Sequence, residues 1–326
     1  MIRRREFITL IGGAAAWPLA ARAQQPAVPV IGFLSPGSAE DYTSRMSAVR
    51  RGLAEIGYVE GHNVAFEYRG AQYQYDRLSA LSADLVSRQV SLIVTVGTPA
   101  TLAAKAATNT IPIIFSMGAD PVQLGLVSSL NRPGGNITGV YVLNTAVAGK
   151  RLDLLHELVP AAGAIALLAN PSSAFTEAET NALHEAARAL GLELRVLNAA
   201  HESEIDTAFA TLAKERSMPL VVSGDNLFTD KPVRLVVLAA RYAVPTIWAY
   251  REAAVAGGLM RYGPDIADAY RQIGTYAGRI LKGAKSTDLP VQQAVKVEFV
   301  INLNTAKALG ITFPLPLLGQ ADAVIE

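Results

Sequence analysis

The chain has 326 residues, of which 51% are hydrophobic, 17% charged and 7% aromatic, with a formal net charge of +1 and no cysteine. That length suits two domains, and that apolar content excludes disorder. The missing cysteine excludes disulfides, thiolate metal sites, cysteine nucleophiles and a cysteine-linked lipid, and the near-neutral balance without a long basic run excludes a nucleic-acid partner.

Residues 1–23, MIRRREFITLIGGAAAWPLAARA, read as an export signal. Arg3, Arg4 and Arg5 precede an apolar stretch over 7–20, and Ala21-Arg22-Ala23 offers a cleavage point between Ala23 and Gln24. Arg4-Arg5-Glu6-Phe7-Ile8 is similar to the twin-arginine export pattern, with ordinary secretion as the other route. Removal takes away four arginines and one glutamate, so a net +1 becomes −2. The expected product is a soluble periplasmic protein with no lipid anchor.

The remainder alternates apolar runs with periodic segments. The pattern predicts strands over 28–33, 63–68, 92–96, 112–115 and 136–142, with helices over 44–56, 76–87 and 100–107 between them. It then restarts, with a helix over 149–159, a strand over 164–169, a helix over 175–190 and a strand over 193–197. A helix over 203–214, a strand over 220–223, one long helix over 227–242 and a strand over 245–248 follow. A strand over 258–262, a helix over 266–281, a strand over 295–301 and a short helix over 305–309 close the chain. Such alternation implies right-handed crossovers and parallel sheets, and the strand count implies two sheets dividing near residue 142.

One local echo supports the division. The strand over 30–34 leads into SPGSA at 35–39, and the strand over 165–169 leads into NPSSA at 170–174. Both loops leave the C-terminal edge of a first strand, where open parallel sheets bind ligands. Two such edges face to face form a cleft.

Enzyme signatures are missing: there is no G-x-S-x-G, no phosphate-binding GxxxxGK[ST] and no G-x-G-x-x-G after the first strand. His62, His156, His184 and His201 lack zinc spacing and read as solvated surface. No catalytic residue, metal site or cofactor is assigned. The loops instead offer helix starts. After the third predicted strand, Thr98 suits an N-cap and Pro99 the first helical position, so the Thr98 hydroxyl and the amides near Ala100 and Thr101 suit a carboxylate. Gly118 and Asp120 repeat the theme after the fourth. In the second half, Asp225 beside Asn226 suits an ammonium group, Asn170, Ser172 and Ser173 add neutral hydrogen bonds, and Tyr250 supplies an aromatic wall. Each capping residue equally suits plain helix capping, and Phe175 and Phe228 suit the core.

Several stretches carry a resemblance. They are RGLAEIGYVEG at 51–61, VGTPAT at 96–101, DPV at 120–122, LV at 126–127, PGGNITGV at 133–140 and INLNTA at 301–306. In these the chain resembles the ABC-transporter substrate-binding proteins of the type I periplasmic binding fold, in the branch that includes tryptophan- and tyrosine-type binding proteins. The resemblance implies an α/β fold of two Rossmann-like lobes with parallel, helix-flanked sheets, joined by a three-strand hinge. It places lobe 1 at 28–142 plus 245–284 and lobe 2 at 143–244 plus 285–326. It implies ligand contacts at Ser35, with Ser38 on the same loop, and at Thr98 to Ala100, Asp120, Asn170 to Ser173 and Asp225. It further implies hinge closure on a small organic ligand, an amino acid or related carboxylate being favoured, and delivery by a monomer to an ABC permease. A receptor of the same fold feeding a sensor kinase or chemoreceptor is the rival reading, and a secreted α/β enzyme the weaker one.

Overall fold

The computed structural model describes residues 28–214 and 218–326, so the export signal expected over 1–23, with its Ala23/Gln24 cleavage point, lies outside the described residues. The chain first lays down β1 (Val30–Ser35), α1 (Thr43–Glu55), β2 (Ala65–Gly70), α2 (Leu78–Ser87), β3 (Leu92–Val96), α3 (Thr98–Ala107), β4 (Ile113–Met117) and β5 (Ile137–Val142). It repeats the scheme with α4 (Ala148–Leu158), β6 (Ala164–Ala169), α5 (Ala174–Ala189), β7 (Glu193–Asn198), α6 (Glu202–Leu212), β8 (Leu220–Val222), α7 (Asn226–Thr229), α8 (Pro232–Arg241) and β9 (Thr246–Trp248). The last part holds α9 (Arg251–Val255), β10 (Met260–Pro264), α10 (Ile266–Leu281), β11 (Gln292–Ala294), β12 (Val297–Asn302), α11 (Leu303–Ala308), α12 (Leu315–Gln320) and β13 (Ala323–Ile325).

Two sheets result, in the orders β11-β5-β4-β3-β1-β2 and β13-β12-β10-β9-β8-β6-β7. Among the described pairs only β10 with β12 is antiparallel. The parallel strands are covered by helices on both faces, which is why β3, β4 and β5 are buried at every residue and carry no alternation. On one face of the first sheet α1 packs against α10. A Cβ on Gly52 would lie 1.9 Å from the Arg271 carbonyl oxygen, and one on Gly274 would lie 2.0 Å from that of Val49, so the two backbones touch because both positions are glycine.

The strand pairings correct the expected lobe boundaries. β9 pairs with β8, through Leu220↔Thr246, and β10 pairs with β9 and β12, so 246–264 belongs to the second sheet. β11 pairs with β5, which puts 292–294 in the first. β9 is three residues long and buried at every position, so it bears no mark of which sheet it will join, and β11 is as short; the register across space decides both. The chain therefore passes between the lobes three times, between β5 and α4, between β10 and α10, and between β11 and β12.

The single helix expected over 227–242 is two. Pro232 has no N–H to donate and its ring crowds the residue before it, so Lys231 adopts φ −124° and ψ 55°, and the helix restarts at Pro232. The break leaves Asp230 at the junction. Among the described residues no helix is long and apolar enough to cross a membrane.

Candidate functional site

The C-terminal edges of the two sheets face each other, and a cavity lies between them. From the first lobe it is lined by Arg45 on α1, Gly97, Thr98 and Pro99 at the start of α3, Ser116 to Gly118 at the end of β4, and Ile266 and Tyr270 on α10. From the second it is lined by Phe175, by Gly224, Asp225 and Asn226 before α7, and by Tyr250 just beyond β9.

At the α3 start the expected cap is displaced by one residue. Gly97 is the N-cap, with φ +80°, and makes no side-chain bond; Thr98 is already helical, with Pro99 next to it. The Thr98 hydroxyl is consequently not used for capping. It is buried in the cavity wall and has no hydrogen-bond partner.

Asp225 does cap its helix, but with one oxygen. Its Oδ1 accepts from the Leu227 amide at 3.0 Å, the Asn170 amide group at 3.1 Å and the Tyr75 hydroxyl at 2.7 Å. Its Oδ2 is buried and has no partner. Burial pushes the Asp225 carboxyl above the usual carboxylate range, against the pull of Ser173, Tyr75 and Asn170. The capping and ligand readings of this residue are thus compatible: Oδ1 serves the fold and Oδ2 is left over.

A second layer fixes that loop. Arg151 and Glu179, both buried to within 1% of completeness, form an ion pair at 2.8 Å. Glu179 also accepts from the Ser223 hydroxyl and the Gly224 amide, and Arg151 donates to Asn144 Oδ1 at 2.7 Å. Burial raises the Glu179 carboxyl and lowers the Arg151 guanidinium from their ordinary values. Asn144 lies on the first crossing and donates to the Tyr250 hydroxyl at 3.4 Å, and burial raises that phenol above its ordinary value.

Of the residues expected from sequence, Thr98, Pro99, Gly118, Asp225, Asn226 and Tyr250 line the cavity. Asn170 and Ser173 stand behind Asp225. The others lie outside the cavity wall. Ser35 donates to the Gly37 carbonyl and Ser38 to Asp41. Ala100 is wholly buried, and Thr101 turns back to the Gly97 carbonyl. Asp120 accepts from the amides of Val122 and Gln123, and Ser172 lines a separate outer cleft with Tyr75 and His201. Phe228 is core, as expected, whereas Phe175 is buried yet reaches the cavity. Sequence reasoning missed Arg45, Arg151 and Glu179. A signal existed: Arg45 precedes Val49 by four residues, and Glu179 precedes Leu183 by four, so each charge falls on the buried stripe of its helix. Tyr75 and Tyr270 carry no such mark.

The profile of the family described as ABC transporter substrate binding protein matches residues 28–325. The chain belongs to this family. Substrate-binding proteins of ABC transporters work outside the cytoplasmic membrane, so this one is extracytoplasmic. It is 30% identical to a tyrosine-binding protein of Clostridioides difficile over 259 residues, which is 79% of this chain and 74% of the relative. Among solved structures it resembles a conserved domain protein of Vibrio cholerae, with a TM-score of 0.83 at 26% identity, covering 91% of this chain and 99% of that one. It resembles an ABC domain from Streptococcus pneumonia in complex with L-Trp, with a TM-score of 0.81 at 27% identity and the same coverage. A ligand-free, open structure of a Clostridium difficile substrate-binding protein gives 0.62 at 25% identity. The family supports the transport reading over the sensory one.

Proposed function

We propose that the protein captures a free amino acid, with an aromatic side chain favoured, and presents it to the membrane subunits of an ABC importer. One observation carries this. Two buried oxygens without protein partners, Thr98 Oγ1 and Asp225 Oδ2, line the same cavity from opposite lobes. The carboxylate faces a ligand ammonium; the hydroxyl, backed by the first free amides of the ten-residue helix α3, faces a ligand carboxylate. Phe175, Tyr250 and Tyr270 supply aromatic wall for the side chain. The relatives that bind L-Trp or are named for tyrosine support the aromatic class.

Because the two ends of the ligand are held by different lobes, only the closed form makes both sets of contacts, so the ligand favours closure. The permease then reads the closed rims. The ligand leaves unaltered, the protein acts as a monomer, and the N-terminal segment delivers it to the periplasm without a lipid anchor.

Calorimetry with L-tryptophan, L-tyrosine, their amides and their decarboxylated amines tests the reading. The amino acids bind, and the amides and amines, which each lack the carboxylate, bind at least tenfold more weakly. Asp225→Ala weakens the amino acids by more than tenfold. Equal binding of acid, amide and amine would overturn the assignment of the Thr98 end, and unchanged affinity in Asp225→Ala that of the other.

A further inference from the structure

A second set of contacts joins the lobes without using Asp225. Asp230 sits where Pro232 interrupts the helix of the second lobe. Its Oδ1 accepts from Arg45 Nη1 at 2.6 Å, and its Oδ2 accepts from the Tyr42 hydroxyl at 2.5 Å. Tyr42 and Arg45 belong to the first lobe, at the start of α1. Asn226 of the second lobe donates to the same Tyr42 oxygen at 3.2 Å. The Arg45 side chain is 8% exposed and that of Asp230 is wholly buried. The guanidinium is held further between the rings of Tyr42 and Tyr270, at 5.1 Å and 5.8 Å from their centroids.

We infer that Tyr42, Arg45 and Asp230 form a latch that holds the lobes together through protein atoms alone, and so sets how much of the ligand-free protein is closed. The bonds from Arg45 and Tyr42 to Asp230 both span the lobes, so opening breaks them together and hydrates both charges. A buried ion pair that loses one partner leaves the other charge uncompensated. Here the relief is at hand, because opening exposes the orphan to water. Removing Asp230 therefore drives the equilibrium toward the open form instead of unfolding a lobe. Since only the closed form completes the site, the latch scales apparent affinity by the closed fraction, whatever the ligand. The inference stands on the two-lobe fold and not on the amino-acid reading.

The chain has no cysteine, so spin labels at Ser79→Cys and Ser172→Cys report without background. Both positions are exposed and face one outer cleft between the lobes. Pulsed dipolar spectroscopy of the ligand-free protein is expected to show a substantial short-distance population. Asp230→Asn lowers the closed-to-open ratio by a factor in the roughly 5–150-fold range of such couplings. Tyr42→Phe, which removes one hydroxyl and leaves the core intact, shifts it the same way by less. A ligand-free protein found only at the long distance, or variants that keep the parent distribution, would overturn the latch.

Discussion

The Tyr75 hydroxyl of the first lobe donates to Asp225 Oδ1 of the second at 2.7 Å, so the residue proposed to hold the ligand ammonium is itself held across the cleft. Tyr75 stands on a segment in which Gln72 and Tyr73 have φ of +52° and +62°, a left-handed pair that residues with side chains seldom adopt. That turn carries Tyr73 and Tyr75 into contact with the core of the second lobe. Ligand contact and lobe contact meet on one carboxylate.

Tyr75→Phe keeps the ring and removes the donor. A hydrogen bond to a charged group contributes about 1.5–3 kcal/mol, so the affinity for L-tryptophan should fall by roughly ten- to a hundredfold. The Tm of the ligand-free protein should barely move. Calorimetry alongside a thermal melt separates the two; an unchanged affinity would mean that the bond does not act on the site.

Binding should weaken on acidification. Burial raises the Asp225 carboxyl above the usual aspartate range. For an acid whose folded value lies above its unfolded one, the stabilising contribution is present below the unfolded value and is lost as pH rises through the folded one. Affinity runs the other way, because an ammonium needs the ionised carboxylate. As pH falls from neutral toward 4, L-tryptophan binding should decline in the parent protein and stay flat, at a lower level, in Asp225→Asn. Parallel profiles would remove Asp225 from the ammonium site.

Gly97→Ala should oppose closure. The new Cβ would lie 2.3 Å from Asn226 Oδ1 on the other lobe, and the φ of +80° already disfavours a side chain. Opening relieves the contact, so affinity should drop at least tenfold while the melt shifts by only a few degrees. Scattering of the ligand-free variant should report a larger radius than the parent; an equal radius with equal affinity would refute the steric argument.

Glu179→Ala should act on stability. It strands a buried Arg151, at a cost of about 3–5 kcal/mol. Replacing both residues by methionine should restore much of the loss. Urea denaturation of the single and double variants measures the difference, and a double variant as unstable as the single would show that the pair is not the cause.

Much of the fold was legible because its signals are local. Gly191 stops the helix before it, apolar runs bounded by helices mark β3 and β6, and Thr98 and Asp225 sit at strand ends, where parallel sheets place their loops. The helix break at Pro232 was equally local and was missed, since the apolar periodicity runs straight through it. Other features were not written locally at all. The short strands β9 and β11 suit either sheet, and space alone assigns them.

By itself the sequence determined an α/β chain of two similar halves with small polar loops at their strand ends, because periodicity and turn chemistry act over a few residues. Tertiary structure decided which sheet took the last strands, that the Thr98 hydroxyl and one Asp225 oxygen would be left without partners, and that Tyr75, Arg45 and Asp230 would meet across the cleft. Arg45 and Asp230 are 185 positions apart. No pattern along the chain records a contact of that span, since it exists only when the two lobes come together.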